Sequence, residues 1–337
     1  MSGSLDSYDA VLLDLDGTVI RGAEAVPEAP DVINELRQAG RALLFITNNA
    51  SRAPAEVARH LADLGVRTVP EEVLTSGQAA VELLATQLPA GAAILVVGSP
   101  ALVAEVESAG LRPVTEASDQ PVAVVQGHSP ETGWSRLAEA CLAIRGGALW
   151  IACNVDRTLP TERGLLPGNG AMVAALQAAT DREPTVAGKP ARQLLDTAVQ
   201  RTAAQRPLVV GDRLDTDIAG ARAAELDSLL VLSGVSDAAE LLAAPPEQRP
   251  GHVGADLRVL REPLERARIR LCPGWRVESA DSGLLLASDG DASDTLDALR
   301  TLCAVWWVEH TGPVQVRAGD DKAATALQAL TLDEVIR

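Results

Sequence analysis

The chain has 337 residues, 47% hydrophobic and 22% charged. This length suggests about two domains, and the composition fits a soluble globular protein, excluding disorder and collagen-like repetition. Lys+Arg 29 against Asp+Glu 46 give a formal net charge of −17, which argues against a nucleic-acid partner gripped through a basic surface and against an anionic membrane. Residues 1–10 carry neither a basic nor an apolar leader segment and no stretch approaches 18 apolar residues, so the expected location is cytoplasmic.

Apolar runs alternate with amphipathic stretches along most of the chain. Residues 10–16, Ala-Val-Leu-Leu-Asp-Leu-Asp, open on a continuous apolar run that reads as a strand buried on both faces. Helical spacing over 27–39 stops at Gly40, a strand follows at 42–47, and a helix over about 54–64 closes at Gly65. Further strands are expected at 93–97, 123–126, 149–152, 208–210 and 228–232. Strands separated by helices predict an α/β fold built on a mainly parallel, Rossmann-like sheet. The Pro-rich stretch 243–251 punctuates the chain, and the texture changes after Glu262. A hairpin (275–278 and 284–287 around 280–283), a helix at 294–308, a strand at 314–318 and a helix at 322–330 predict a small α+β unit. At about 70 residues it is near the lower limit for independent stability and should pack on the main body.

Cys141, Cys153, Cys272 and Cys303 lie far apart, without CxxC spacing, and read as buried free thiols. Lys189 and Lys322 are the lysines of the chain; every other side-chain cation is Arg. A lysine retained in an Arg-rich background fits a need for a compact point charge.

Asp14-Leu-Asp16-Gly17-Thr18 sits at a strand end, where open parallel sheets place ligand sites. Continued strand alternation would put Asp14 and Asp16 on one side. A second run, Leu208-Val-Val-Gly-Asp212-Arg-Leu-Asp215-Thr-Asp217, again leads from an apolar strand into carboxylates, with a helix through Ala221. Two such clusters in one α/β domain should converge, and like charges ~4 Å apart repel by about 4 kcal/mol at an effective dielectric of 20. A cation would join them, and an all-oxygen donor set favours Mg²⁺; the plain alternative is solvated loop acids. Phe45-Ile-Thr47-Asn48-Asn49 offers a hydroxyl and backbone amides at another strand end, suited to phosphate oxygens, and Val186-Ala-Gly-Lys189-Pro190 supplies a point charge.

In this order the four motifs resemble the haloacid dehalogenase (HAD) superfamily of phosphatases, over roughly residues 8–263. The resemblance implies that Asp14 attacks phosphorus to give an aspartyl-phosphate. Asp16 would protonate the leaving alkoxide and then activate water, while Thr47, Asn48, Asn49 and Lys189 would bind substrate. Mg²⁺ would be held by Asp14, Asp16 through its backbone carbonyl, and Asp212, with Asp217 behind them. Between Thr47 and Lys189 lie about 100 residues more than the 30–40 that a crossover and return require. This resembles the NagD-like branch, with a large α/β cap between the second and third motifs. The expected division is a core at 1–79 and 184–263, a cap at 80–183 that offers a lid, and the small unit at 264–337.

In that branch a cap loop selects the leaving group, and the matching residues are Asn154 and Asp156; the same residues also suit an Asx turn. His128 is a further candidate, with a loop histidine as the plain reading. A polar acidic loop fits a small hydroxylated leaving group. The segment 154–170 and the extra C-terminal unit resemble members of the branch that hydrolyse glycerol 3-phosphate to glycerol and phosphate. Phosphoglycolate, pyridoxal phosphate, nucleotides and aryl phosphates are the alternative substrates. Phosphotransfer to a sugar is an alternative reaction, and a phosphometabolite-binding regulator the alternative outside enzymes. A DxD glycosyltransferase leaves Lys189 and the Asp212 cluster unexplained, and no P-loop or complete GxGxxG occurs. The C-terminal unit resembles a fragment of the GCN5-related acetyltransferase fold, without a Gly-rich acetyl-CoA loop. Trp306-Trp307 reads as core packing before partner anchor. The expected partner is a small phosphorylated metabolite, and homo-oligomers could form through the cap or the C-terminal unit.

Overall fold

The computed structural model describes residues 7–161, 163–280, 283–290 and 294–332. The chain divides into two compact units, Met1–Ala42 with Ala204–Arg337, and Leu43–Ala203.

In the first unit the apolar runs become strands because every residue of Ala10–Asp14 and of Pro207–Gly211 is buried, the signature of strands covered on both faces. They pair in parallel, Ala10 opposite Pro207 through Leu13 opposite Val210. Asp227–Val231 and His252–Gly254 add in parallel beyond them. The helix Ala29–Gln38 carries Pro30 in its first turn and buries Ala29, Val32, Ile33 and Leu36, the i, i+3, i+4, i+7 stripe that a helix lays on a sheet. The expected helix after Asp212 begins instead as a π-helical turn, Leu214–Ile218, and becomes α-helical at Ala219–Ala223.

The C-terminal segment forms a three-stranded sheet. Trp275–Ala280 is antiparallel to Gly283–Ser288, and Val316–Ala318 is parallel to the latter. The helices Thr295–Trp306 and Asp321–Ala329 accompany it. Residues 281 and 282 of the expected turn lie outside the described residues. Leu284, Leu286, Leu299, Leu302 and Leu327 share one hydrophobic cluster with Leu214, Ile218, Leu230, Leu241, Leu242 and Val253, so this segment packs on the sheet-bearing body. Trp306 and Trp307 pack against that cluster and donate their indole N–H groups to Gly312 O and Leu242 O, both at 3.1 Å: a packing role. Arg249 donates to Ala244 O at 3.0 Å, Trp307 O at 2.9 Å and His310 O at 2.6 Å.

In the second unit the strand Ala42–Thr47 pairs in parallel with Val73–Thr75. A five-stranded parallel sheet follows, in the order Thr185–Val186, Leu149–Ala152, Ala123–Gln126, Ala93–Val97, Arg112–Val114. Its helices include Pro100–Ser108, Trp134–Arg145 and Asn169–Thr180. The antiparallel hairpin of Thr158–Thr161 with Gly164–Pro167 was not anticipated, and it is largely exposed. The chain is thus α/β, with a Rossmann-like parallel sheet, an inserted α/β unit and a small C-terminal α+β unit. Among the described residues no helix is long and apolar enough to cross a membrane.

Candidate active site

In the first unit, adjacent parallel strands bring their C-terminal ends together, and with them the two acidic motifs. Among the described residues Asp14, Asp212 and Asp217 each offer a carboxylate oxygen, and these oxygens lie within 4.8 Å of one another. The side chains are 7%, 0% and 1% exposed. Three ionised carboxylates so close repel by about 4 kcal/mol per pair at an effective dielectric of 20, and burial removes the water that would screen them. An all-oxygen, strongly anionic set of this kind fits a hard divalent cation such as Mg²⁺. Asp217, expected behind the metal, has its carboxylate in the group itself. The π-turn places it there, and its Oδ2 accepts from Arg213 N at 3.1 Å.

Strand alternation does not extend from Asp14 to Asp16. The strand ends at Asp14, and the chain then turns tightly, with Leu15 O accepting from Val19 N and Ile20 N, both at 2.9 Å. Asp14 is buried and Asp16 exposed. Gly17 closes this turn at φ +92°, and a Cβ there would overlap the Asp212 carboxylate, so only glycine meets both demands. Ser233 Oγ donates to Gly17 O at 2.8 Å, and Val235 N donates to Asp212 Oδ2 at 2.6 Å. This loop after Asp227–Val231 was missed in the sequence; its signal was Ser-Gly at a third strand end.

In the second unit, Thr47 ends its strand and is buried. Its Oγ1 accepts from Asn49 N at 3.0 Å, while Asn49 Oδ1 accepts from Ser51 N at 2.9 Å and Ser51 Oγ at 2.6 Å. Of the backbone amides expected to be free in this motif, that of Asn49 is used within the loop, as is that of Ser51 just beyond it. The Thr47 hydroxyl, accepting there, keeps its own proton to donate. Lys189 is 1% exposed.

Asn48 joins three distant stretches. Its Oδ1 accepts from Lys189 N at 2.9 Å, and its Nδ2 donates to Lys189 O at 3.0 Å and to both Asp156 carboxylate oxygens at 3.3 Å. Asn154 is buried and holds the loop: its Nδ2 donates to Asn48 O at 2.7 Å and its Oδ1 accepts from Asp156 N at 3.2 Å, the Asx turn weighed above. Ser76 and Asn169, also missed, donate to Asn48 O at 2.6 Å and to Asn154 O at 2.7 Å. His128 is half-buried, and burial lowers its pKa.

The cysteines are free, Cys141 half-buried and the others buried. Burial pushes the Cys153 thiol up to about 12 and Cys272 to about 11, which leaves neither a thiolate at neutral pH.

A Rossmann-like sheet carrying buried carboxylates at neighbouring strand ends, with an inserted α/β unit, defines a class, and the comparisons agree. Residues 11–112 match the haloacid dehalogenase-like hydrolase family, 186–260 a HAD-hydrolase-like family, and 272–332 a GCN5-related N-acetyltransferase-like domain. The chain belongs to the haloacid dehalogenase-like hydrolases, as an enzyme of the NagD-like phosphatase branch.

The chain is 48% identical to the D-glycerol 3-phosphate phosphatase of Mycobacterium tuberculosis over 98% of this chain and 96% of that one. The crystal structure of the glycerol phosphate phosphatase of that organism in complex with magnesium superposes with a TM-score of 0.93 at 49% identity, covering 98% of this chain and 99% of the other. A 5′-nucleotidase of Bacillus subtilis is 36% identical over 69% of this chain and 90% of its own length.

Proposed function

We propose that this enzyme is a Mg²⁺-dependent phosphomonoesterase that converts glycerol 3-phosphate to glycerol and inorganic phosphate through an aspartyl-phosphate. The observation that carries the reading is the buried trio Asp14, Asp212 and Asp217, whose oxygens lie within 4.8 Å of one another. The glycerol phosphate phosphatase similar to this chain over nearly its whole length supports the choice of ester.

Asp14, Asp212 and Asp217 would hold the ion, joined by the backbone carbonyl of Asp16, and the ion supplies charge neutralisation for the transferring phosphoryl group. Asp14 attacks phosphorus; the phosphorus–oxygen ester bond breaks, and Asp16, exposed at the turn, gives its proton to the departing alkoxide. Asp16 then takes a proton from water, whose oxygen bonds to phosphorus and frees Asp14. Splitting one difficult displacement in two is the advantage of a carboxylate nucleophile. The Thr47 hydroxyl, Asn49 and the Lys189 ammonium take the equatorial oxygens, where a fixed point charge is most effective in a dry site. Residues 80–183 serve as the cap, with Asn154 and Asp156 selecting the leaving group; the partner is thus a small phosphorylated metabolite.

Phosphate release from a panel of small phosphomonoesters at equal concentration, with and without EDTA, tests this. Glycerol 3-phosphate should be turned over fastest, and EDTA should abolish release. A chelator-insensitive activity contradicts the metal role, and preference for a nucleotide or aryl phosphate contradicts the ester.

A further inference from the structure

The carboxamide of Asn48 lies between two backbone atoms of Lys189 and the carboxylate of Asp156. Its orientation is fixed by chemistry. Lys189 N is a donor and meets Oδ1 at 2.9 Å, while Lys189 O at 3.0 Å and the Asp156 oxygens at 3.3 Å are acceptors and meet Nδ2. Turning the amide over would set donor against donor and acceptor against acceptor. An amide nitrogen has two hydrogens, and here one goes to Lys189 O and the other to Asp156. No Asn48 side-chain donor is left for a phosphate oxygen, which accepts only. The backbone of Asn48 is held as well, its carbonyl accepting from Ser76 Oγ at 2.6 Å and Asn154 Nδ2 at 2.7 Å. Beside it, a Cβ on Gly188 would overlap Asn48 Oδ1 and Cys153 O, so glycine before Lys189 lets the amide approach.

We propose that the side chain of Asn48 is a positioning group and not a phosphate ligand: it fixes the Lys189 backbone from both sides and ties it to Asp156, so that the leaving-group loop and the phosphate-binding lysine move as one. This rests on the reading in which Lys189 holds phosphoryl oxygens. Its consequence is that leaving-group identity is sensed at Lys189, through one amide.

The test uses the full chain with glycerol 3-phosphate turnover and, separately, calorimetric titration with inorganic phosphate. Asn48→Ala should lower kcat/KM by about 100-fold, the cost of a catalytic group misplaced by about 1 Å. In a Lys189→Ala background the same change should cost no more than about threefold, because both act through one group. The pair Asn48→Asp and Asp156→Asn exchanges donor and acceptor at their mutual contact and leaves Lys189 O without its donor, so the recovery is partial. Asn48→Asp alone sets two carboxylates together, and adding Asp156→Asn should recover about tenfold, a rescue that a generic structural role does not give. Equal losses from Asn48→Ala with and without Lys189, or no recovery in the exchanged pair, overturn the proposal. A wild-type chain that releases no phosphate contradicts the hydrolase reading instead, while the phosphate titration of the same variants still tests Asn48.

Discussion

A carboxylate as enclosed as Asp212 is stable only if its surroundings are built for negative charge. Val235 N supplies a hydrogen bond, and Gly17 lets the turn approach the carboxylate closely. A bound cation completes the compensation, since desolvation of an isolated carboxylate costs far more than a single hydrogen bond returns. His252 shows the same balance in a group that titrates near neutrality. Burial lowers its pKa, while the hydrogen bond at 3.2 Å to Ser228 O pulls the other way. Between the depressed folded value and the unfolded value near 6.5, the unfolded chain binds the extra proton. Stability therefore rises with pH through this window, and it is lost as pH falls below about 6.5. Thermal melts should show a midpoint that drops between about pH 7 and about pH 5, and a shallower drop in His252→Asn, which keeps a donor for Ser228 O. His128, shifted the same way by burial, contributes to the remaining slope. An unchanged slope in the variant contradicts this assignment.

At the scale of elements, the strands with the longest apolar runs were legible to the residue: 42–47, 93–97, 123–126 and 149–152 have the same bounds in the fold. Burial on both faces leaves no alternative to a hydrophobic run, so the signal is local. Where partners decide the structure, the sequence was silent. The strands Val73–Thr75, Arg112–Val114 and His252–Gly254 are three residues long and exist only because a neighbour offers a ladder. The exposed hairpin around Gly164 buries too little to leave a pattern. The clustering of the site carboxylates was legible because acids at the ends of buried strands demand an explanation. Their detailed placement was not: Asp217 lies within a π-turn, Leu214–Ile218, and the strand that carries Asp14 ends before Asp16. The polar network of Asn48, Asn154 and Asn169 depends on contacts more than 100 residues apart in part, which no local pattern encodes.

At the scale of the molecule, the C-terminal segment shares one hydrophobic cluster with the body that carries the carboxylates. Arg249 binds that segment by donating to Trp307 O and His310 O. Leu214 and Ile218 flank Asp217 in the π-turn and belong to the same cluster, so integrity of this core and presentation of Asp217 are coupled. Truncation after residue 263 should expose Leu241, Leu242 and Val253, each worth about 1.5–3 kcal/mol when buried. The shortened chain should melt well below the full one or aggregate; a truncated protein with an unchanged melting point would show the segment to be energetically independent. The central claim concerns Asp14 and is tested most directly by acid-quenching the enzyme during turnover of glycerol 3-phosphate and locating phosphoryl groups by peptide mass spectrometry. The account predicts a phosphorylated peptide carrying the modification on Asp14, absent from Asp14→Asn. Turnover without phosphorylation of Asp14, or near-normal phosphate release by that variant, would contradict it.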